Sequence, residues 1–164
     1  MFDGFIKIDG VPGESLDDKH KDWIEILSFN HGISQPSIGT RSSTGGASAE
    51  RCDHEDLVIT KQVDKASPKL YELCSTGKHI ATVTIELCRA GGDKVRYIEV
   101  KMEQVIISSV HPSGHAHGNE FPAESVAFNY GKIKWTYTQQ KRSDGSGGGN
   151  VTGGWDLTAN KVYS

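Results

Sequence analysis

The sequence lacks a large excess of charge of either sign. Its 18 Lys and Arg residues stand against 21 Asp and Glu residues, which leaves a formal net charge of −3 at pH 7. Nonspecific binding to nucleic acid needs a broad basic surface, because most of the affinity comes from neutralising phosphates. We therefore expect no nucleic-acid partner.

Long hydrophobic runs are also missing. Aliphatic runs such as Val105-Ile106-Ile107 are far shorter than the roughly 20 apolar residues that a membrane-spanning helix needs. The first residues do not place an apolar segment after a basic one, as a secretory signal peptide does. We expect neither a signal peptide nor membrane insertion.

Cysteine is scarce, with only Cys52, Cys74 and Cys88. Three cysteines allow one intramolecular disulfide at most, so a disulfide-dense secreted scaffold is excluded. The number suits synthesis in a reducing cytoplasm.

The 164 residues predict a single domain, 1–164, because domains commonly contain about 100–200 residues. Two segments rich in small and polar residues are predicted to be loops. One is a long loop at about 30–51, and the other is a flexible Gly-rich loop at about 143–150.

Apolar and polar residues alternate along most of the chain, which is typical of strands with one buried face. The predicted strands lie at 2–8, 23–29, 55–62, 81–90, 94–110, 126–137 and 154–158. The runs at 81–90 and 94–110 flank Gly91-Gly92-Asp93 and predict a hairpin. Between 126 and 137 the apolar residues change face across Gly131, which predicts a bend. The fold is therefore expected to be mainly β, a sandwich or barrel.

One helix is predicted after residue 66. Ser67 is the expected N-cap, and Pro68 suits the first helical position. Leu70 and Leu73 define the apolar face, and Gly77 is the expected left-handed terminator.

Three histidines, His111, His115 and His117, lie close together in the sequence and could bind a transition metal. No neighbouring Asp or Cys completes the set, and Glu120 is the only nearby carboxylate. We therefore interpret the segment as an exposed polar turn and expect no metal or other cofactor. A metal-dependent enzyme using these histidines is kept as an alternative.

Cys52, Asp53 and His54 bring a thiol, a carboxylate and an imidazole together in sequence. Adjacent side chains on a strand point to opposite faces, so they cannot form a nucleophile–base pair locally. We predict no catalytic residue.

Several segments carry a recognisable pattern through their order along the chain. They are Phe5-Ile6-Lys7-Ile8, Trp23-Ile24-Glu25-Ile26-Leu27-Ser28-Phe29, Cys74-Ser75-Thr76-Gly77-Lys78-His79, Ile107-Ser108-Ser109-Val110 and Lys132-Ile133-Lys134-Trp135-Thr136-Tyr137. In this order they resemble the haemolysin-coregulated protein (Hcp) family of the bacterial type VI secretion system. The resemblance spans nearly the whole chain.

The resemblance implies a two-sheet antiparallel β-barrel with one α-helix packed at its side. It also implies a hexameric ring with a wide lumen, and rings that stack into the inner tube driven by a contractile sheath. The protein would be made in the cytoplasm and exported through its own apparatus to the medium or a target cell. Its partners would be further copies of itself, sheath and spike proteins, and small effectors carried in the lumen, with no enzymatic turnover.

The family's extended loop falls on residues 33–51. The residues that the resemblance places at contacts between subunits or rings are Gln35, Ser37, Arg41 and Ser42. Asn30 and His31 follow a strand near the lumen wall, so they are candidate effector contacts. A monomeric β-barrel module that binds a sugar or peptide through Trp135 or Tyr137 stays open as the alternative.

Overall fold

The computed structural model describes residues 1–38, 48–49, 51–91, 94–118, 121–141 and 147–164, with backbone alone at 37, 38, 48, 49 and 147. In chain order the elements are β1 (Phe2–Ile8), β2 (Ile24–Ile26), β3 (Ser28–Asn30), β4 (Ile33–Ser34), β5 (Ser37–Ile38), β6 (Ser48–Ala49), β7 (Asp53–His54), β8 (Leu57–Gln62), α1 (Ser67–Thr76), β9 (Ile80–Arg89), β10 (Arg96–Ser113), β11 (Ala123–Asn129), β12 (Lys132–Gln140), β13 (Gly147–Asp156) and β14 (Lys161–Val162).

The strands form two antiparallel sheets that share β10. The first sheet has the order β14-β13-β12-β10-β9-β1-β2, and the second has the order β10-β11-β8-β3. In the described part of the chain, hydrogen bonds do not close the sheets into a continuous cylinder. The helix α1 packs against β10. The predicted fold class, mainly β with one helix at the side, is confirmed.

The predicted hairpin is present as β9 and β10, which pair from Cys88 opposite Arg96 to Ile80 opposite Val105. The described part of the chain contains no helix long and apolar enough to cross a membrane.

The sheets meet at a corner formed by Gln104 and Gly131. The first half of β10 pairs with β12 and the second half with β11. Gln104 has a φ of 54°, and the Gly131 N–H donates to the carbonyls of Glu103 (3.0 Å) and Gln104 (3.2 Å). A Cβ at Gly131 would stand 3.1 Å from the Gln104 Cβ, tighter than ordinary packing, so the close approach favours glycine. The bend predicted from the change of face at Gly131 is confirmed.

The strand predicted at 23–29 is split between the two sheets. Its first part, β2, pairs with β1, while β3 pairs with β8. Between them the Leu27 N–H donates to the Thr60 carbonyl at 2.7 Å. Ile24 and Ile26 are buried, but 58% of Leu27 is exposed. The alternation predicted a single strand and did not reveal the transfer between sheets.

The core fills the space between the sheets with aliphatic side chains from most long strands. Its fully buried members include Ile6, Ile24, Ile59, Val83, Met102, Val105, Val126, Phe128 and Ile133. Burying aliphatic area is the main favourable contribution to folding, because each such side chain is removed from water.

The helix begins one residue before the prediction. Ala66 is the N-cap and provides no side-chain hydrogen bond, so the assignment of Ser67 as N-cap is wrong. Ser67 is buried instead, and its hydroxyl donates to Glu124 at 2.6 Å. Gly77 ends the helix with a φ of 66° and donates its N–H to the Leu73 carbonyl, as predicted.

A buried ion pair joins β8 to β11 below the helix. Lys61 and Glu124 have side chains with no exposed area, and the Lys61 Nζ lies 2.5 Å from the Glu124 Oε1. Ser67 and Tyr71 of the helix also donate to this carboxylate, and Asp64 is 3.0 Å from the ammonium. Burial alone would raise the pKa of Glu124, but hydrogen bonds from Lys61, Ser67 and Tyr71 hold it below its ordinary value.

His20 fastens the segment between β1 and β2 onto β9. Its ring nitrogens lie 2.7 Å from carboxylate oxygens of Asp17 and Glu86, and its ring stacks on Phe5 at 4.2 Å between centroids. Carboxylates accept hydrogen bonds, so an imidazole that donates from both nitrogens satisfies this arrangement.

The Gly-rich segment differs from the prediction. The strand β13 begins at Gly147 and pairs with β12 from Gln140 onward, so residues 147–150 are a strand and not a flexible loop. Residues 142–146 lie outside the described part. Glycine disfavours strands only weakly, and pairing with β12 outweighs that preference.

Candidate functional site

Three segments meet where the chain crosses from β11 to β12. They are the residues after β3, the segment that includes β7, and the corner residues that precede β12. His31 comes from the first segment, His54 from the second and Tyr130 from the third. They form what we call the His–Tyr–His cluster: His31, Tyr130 and His54.

The phenol oxygen of Tyr130 is the centre of this cluster. It lies 2.6 Å from His31 Nε2 and 3.2 Å from His54 Nδ1. It is also 3.2 Å from the Glu55 carbonyl, to which it can donate. A hydroxyl donates one hydrogen bond and accepts up to two, so all three contacts can be satisfied together.

Trp135 on β12 packs beside both imidazoles. The His54 ring is nearly parallel to the Trp135 ring at 6.5 Å between centroids, and the His31 ring is tilted at 6.2 Å. Tyr130 is buried, while His31, His54 and Trp135 are half-buried. The fluorescence of the Trp135 indole should therefore respond to changes in this cluster.

Burial controls the ionisation of the cluster. It is the main cause that lowers the pKa of His31, the neighbouring His54 lowers it further, and Glu55 acts in the opposite direction. Burial also lowers the pKa of His54. Burial and the nearby charges of Asp56 and Cys52 raise the pKa of the Tyr130 phenol. At neutral pH all three side chains are uncharged.

A cavity of about 560 Å³ opens beside the cluster. Its lining residues are Ile33, Gln35, Arg51, Cys52, His54, Trp135, Gly154, Trp155 and Asn160. The indoles of Trp135 and Trp155 form an apolar wall. Gln35, Arg51 and Asn160 supply hydrogen-bonding groups. The structure therefore brings Gln35, a predicted interface residue, to the same place as His54 and Trp135.

The predicted effector contact Asn30 and the other predicted interface residues are placed as follows. Asn30 ends β3, is exposed and pairs with Val58. The backbone of Ser37 begins β5 and pairs with Ala49. Arg41 and Ser42 lie outside the described residues.

The three histidines considered for metal binding are all exposed. His111 lies in β10 opposite Ser125, and His115 and His117 follow that strand. Within the described ranges, no three His, Cys, Asp or Glu side chains are grouped so that they could hold a metal ion.

The sequence did not predict Tyr130, nor that His31 and His54 both contact its hydroxyl. Cys52, Asp53 and His54 do not act together locally: the Cys52 thiol contacts the Asp53 carbonyl at 3.8 Å, and His54 faces Tyr130. The separations of 99 and 76 residues to Tyr130 leave no local pattern. The only available signal was a Tyr directly before the predicted bend.

Comparison with known proteins gives a consistent result. The family model described as "Type VI secretion system effector, Hcp" matches residues 5–137. The chain is 35% identical to Protein hcp1 of Pseudomonas aeruginosa over 159 residues, which cover 96% of each chain. It is 31% identical to the Major exported protein of the same organism over 134 residues, covering 76% of this chain and 74% of that protein.

A solved structure described as that of a type six secretion system protein superposes with a TM-score of 0.93 and 36% identity. The match covers 99% of this chain and 100% of the other. The family match covers more than half of the chain, and two relatives exceed 30% identity over more than two thirds of it. The chain therefore belongs to the Hcp family of type VI secretion system proteins.

Proposed function

We propose that the chain forms a hexameric ring, that rings stack into the inner tube of a type VI secretion apparatus, and that the ring carries small effectors in its lumen. The observation that carries the proposal is the agreement with a type six secretion system protein over the full length of both chains. The similarity thus extends to the edge strands, which are the elements that we propose contact neighbouring copies.

The edges of the sheets support assembly. The outer strands β2, β3 and β14 are only two or three residues long, and apolar side chains lie exposed on or beside them. Leu27 is 58% exposed, Phe29 39% and Val162 72%. A head-to-tail contact with another copy would cover these residues and satisfy edge backbone groups, and repeating it around a rotation axis gives a closed ring.

The residues proposed for contacts between subunits or rings remain Gln35, Ser37, Arg41 and Ser42. Gln35 is exposed at the mouth of the cavity, which is compatible with this role. Asn30 and His31 remain the proposed lumen contacts. Asn30 offers an exposed amide, and His31 is partly engaged with Tyr130.

Export and partners follow from the same proposal. The protein would be cytoplasmic until the apparatus delivers it to the medium or a target cell. Sheath and spike proteins would contact the tube, and the function would be mechanical and not enzymatic.

The first experiment is light scattering coupled to size exclusion, at low micromolar concentration and after tenfold dilution. We expect a mass of about 107 kDa, six times the chain mass of 17.8 kDa, at both concentrations. A monomer at both concentrations would contradict an intrinsically stable ring.

A matched pair of variants tests the interface. Gln35→Arg should weaken association between rings or subunits, while Gln139→Arg, an exposed position on β12, should not. Asn30→Arg should preserve the ring mass but reduce binding of a small effector exported by the same apparatus. Equal behaviour of Gln35→Arg and Gln139→Arg would remove Gln35 from the interface.

The cavity beside Trp135 favours a second candidate, a monomeric module that binds a sugar or peptide. Its two indoles and its polar rim are typical of such sites, and Tyr137 is 45% exposed on the same strand as Trp135. A persistent monomer whose tryptophan fluorescence changes with added oligosaccharide would favour this function over the ring.

A further inference from the structure

The short sheet formed by β4 and β7 has few attachments to the barrel. Its ladder consists of two pairs, Ile33 with His54 and Ser34 with Asp53. In the described part of the chain it is a separate sheet that shares no strand with the two large ones. Ile33 is 49% exposed and Ser34 is exposed as well, so their burial adds little stability.

The His–Tyr–His cluster supplies the connection. His31 lies next to β4 and His54 belongs to β7, and both bond to the phenol of Tyr130 at the barrel corner. Tyr130 also reaches the Glu55 carbonyl, and the Glu55 N–H donates to the Gly32 carbonyl at 3.0 Å. One phenol therefore holds both segments at once.

Neutral imidazoles suit this geometry. The phenol donates its single proton to the Glu55 carbonyl and accepts hydrogen bonds from His31 Nε2 and His54 Nδ1, each of which carries the one proton of a neutral ring. When each ring gains a second proton on its other nitrogen, two cations face one oxygen in a half-buried place. Their mutual repulsion and the cost of burying charge weaken both contacts.

The charged groups around the cluster do little to offset the repulsion between two protonated histidines. The Glu55 carboxylate acts on His31, Asp56 and Cys52 act on Tyr130, and Arg51 adds positive charge at the cavity. Asp56 is engaged by Ser108 and Asn129. Among the described residues, His20 has two carboxylates at 2.7 Å, whereas neither histidine of the cluster has a carboxylate within 4.0 Å.

We propose that the His–Tyr–His cluster is an acid-sensitive attachment, and that protonation of His31 and His54 detaches the β4–β7 sheet from the barrel corner. The direction of the pH dependence follows from the difference between the histidine pKa values in the folded and unfolded protein. The pKa of each histidine is lower in the folded protein than the ordinary 6.5, so the attachment is complete above about pH 6.5 and is lost progressively as the pH falls below that value. If the proposed tube function holds, acidification would also alter contacts made by the extended loop.

Amide hydrogen exchange, corrected for the intrinsic pH dependence, tests this inference on the full-length protein at pH 7.5 and pH 5. Protection at residues 31–34 and 53–55 should fall by about tenfold or more at pH 5, while protection in β9 and β10 should not change. The double variant His31→Gln/His54→Gln should lose this pH dependence. The matched control His111→Gln, at an exposed position, should keep it.

A second measurement applies if the double variant does not fold. NMR titration of the imidazole C–H signals in the wild-type protein should show two histidines that titrate below pH 6.5, together with the loss of protection. Unchanged protection between the two pH values would overturn the inference, as would the same pH dependence in a folded double variant. Exchange is measured within each chain, so ring formation can fail without affecting this test, and the test can fail while rings form.

Discussion

Replacing Glu124 by Gln should destabilise the protein strongly, because the fully buried Lys61 amine would lose its main partner. The Lys61 Nζ lies 2.5 Å from Glu124, and neither side chain is exposed. Removing one partner of a buried ion pair typically costs about 3–5 kcal/mol. Asp64 at 3.0 Å and the Gln62 carbonyl at 2.8 Å remain near the ammonium, so we expect the low end, about 3 kcal/mol.

A double variant separates the loss of a partner from the value of the pair. Lys61→Met/Glu124→Leu removes both charges and fills the space with apolar groups, and such replacements are often neutral or stabilising. Ser67 keeps a hydrogen bond from the Asp64 N–H, and the half-buried Tyr71 hydroxyl can reach water. The double variant should therefore lose less than about 1.5 kcal/mol of unfolding free energy. This is well below the summed losses of the single variants Lys61→Met and Glu124→Leu.

Urea unfolding at a fixed protein concentration gives these free energies, since association contributes to the stability of an oligomer. The change of Lys69→Met at the exposed pair with Glu72 is the matched control, and it should cost less than about 1 kcal/mol. A loss below about 1 kcal/mol for Glu124→Gln, or a double variant as unstable as the two single changes added together, would refute the reasoning.

Three further changes have defined outcomes. His20→Phe keeps the stacked ring but removes both donors to Asp17 and Glu86, and it should lower the free energy of unfolding by about 2 kcal/mol; a loss under about 0.5 kcal/mol would assign the role to stacking. Gly154→Ala should lower the melting temperature, because its Cβ would collide with the Tyr163 backbone carbonyl, whereas the adjacent Gly153→Ala has open space and should not; equal effects would contradict the packing at this edge. A hydrogen bond from Lys94 is the largest cause that lowers the pKa of Asp17 to about 2, and His20 adds to it. The stabilisation from Asp17 is therefore present above its ordinary value of 3.8 and should be lost as the pH falls toward 2; an acid-unfolding profile that is unchanged in Asp17→Asn would contradict this.

Local patterns were enough to predict much of the fold. The turn between β9 and β10 and the left-handed Gly77 depend on residues within a few positions of each other. The corner at Gly131 has a local signal in the change of apolar face, although its hydrogen bonds reach Glu103 and Gln104. The buried pair of Lys61 and Glu124 could not be predicted in this way, because charged residues at buried positions contradict the usual alternation, and their partners are 63 residues apart.

The candidate site was predicted only in part. Family resemblance drew attention to His31 and Gln35, but Tyr130, which holds His31 and His54, required the three-dimensional structure. For Ser67 the error was different, because its residue type favours N-caps and the sequence therefore predicted a local role. In the structure its hydroxyl instead donates to the buried Glu124 carboxylate, so a tertiary hydrogen bond outweighed the local preference.

The sharing of β10 between the two sheets bears on how the protein comes apart. This strand of 18 residues pairs with β9 and β12 up to Val105 and Glu103, respectively, and with β11 from Ile106 onward. Neither sheet can therefore open completely without removing a strand from the other, and a partly unfolded form that preserves one intact sheet is disfavoured. The barrel should behave as one cooperative unit, with exchange of its most protected amides limited by global unfolding, while opening at low energy is confined to its short edge strands.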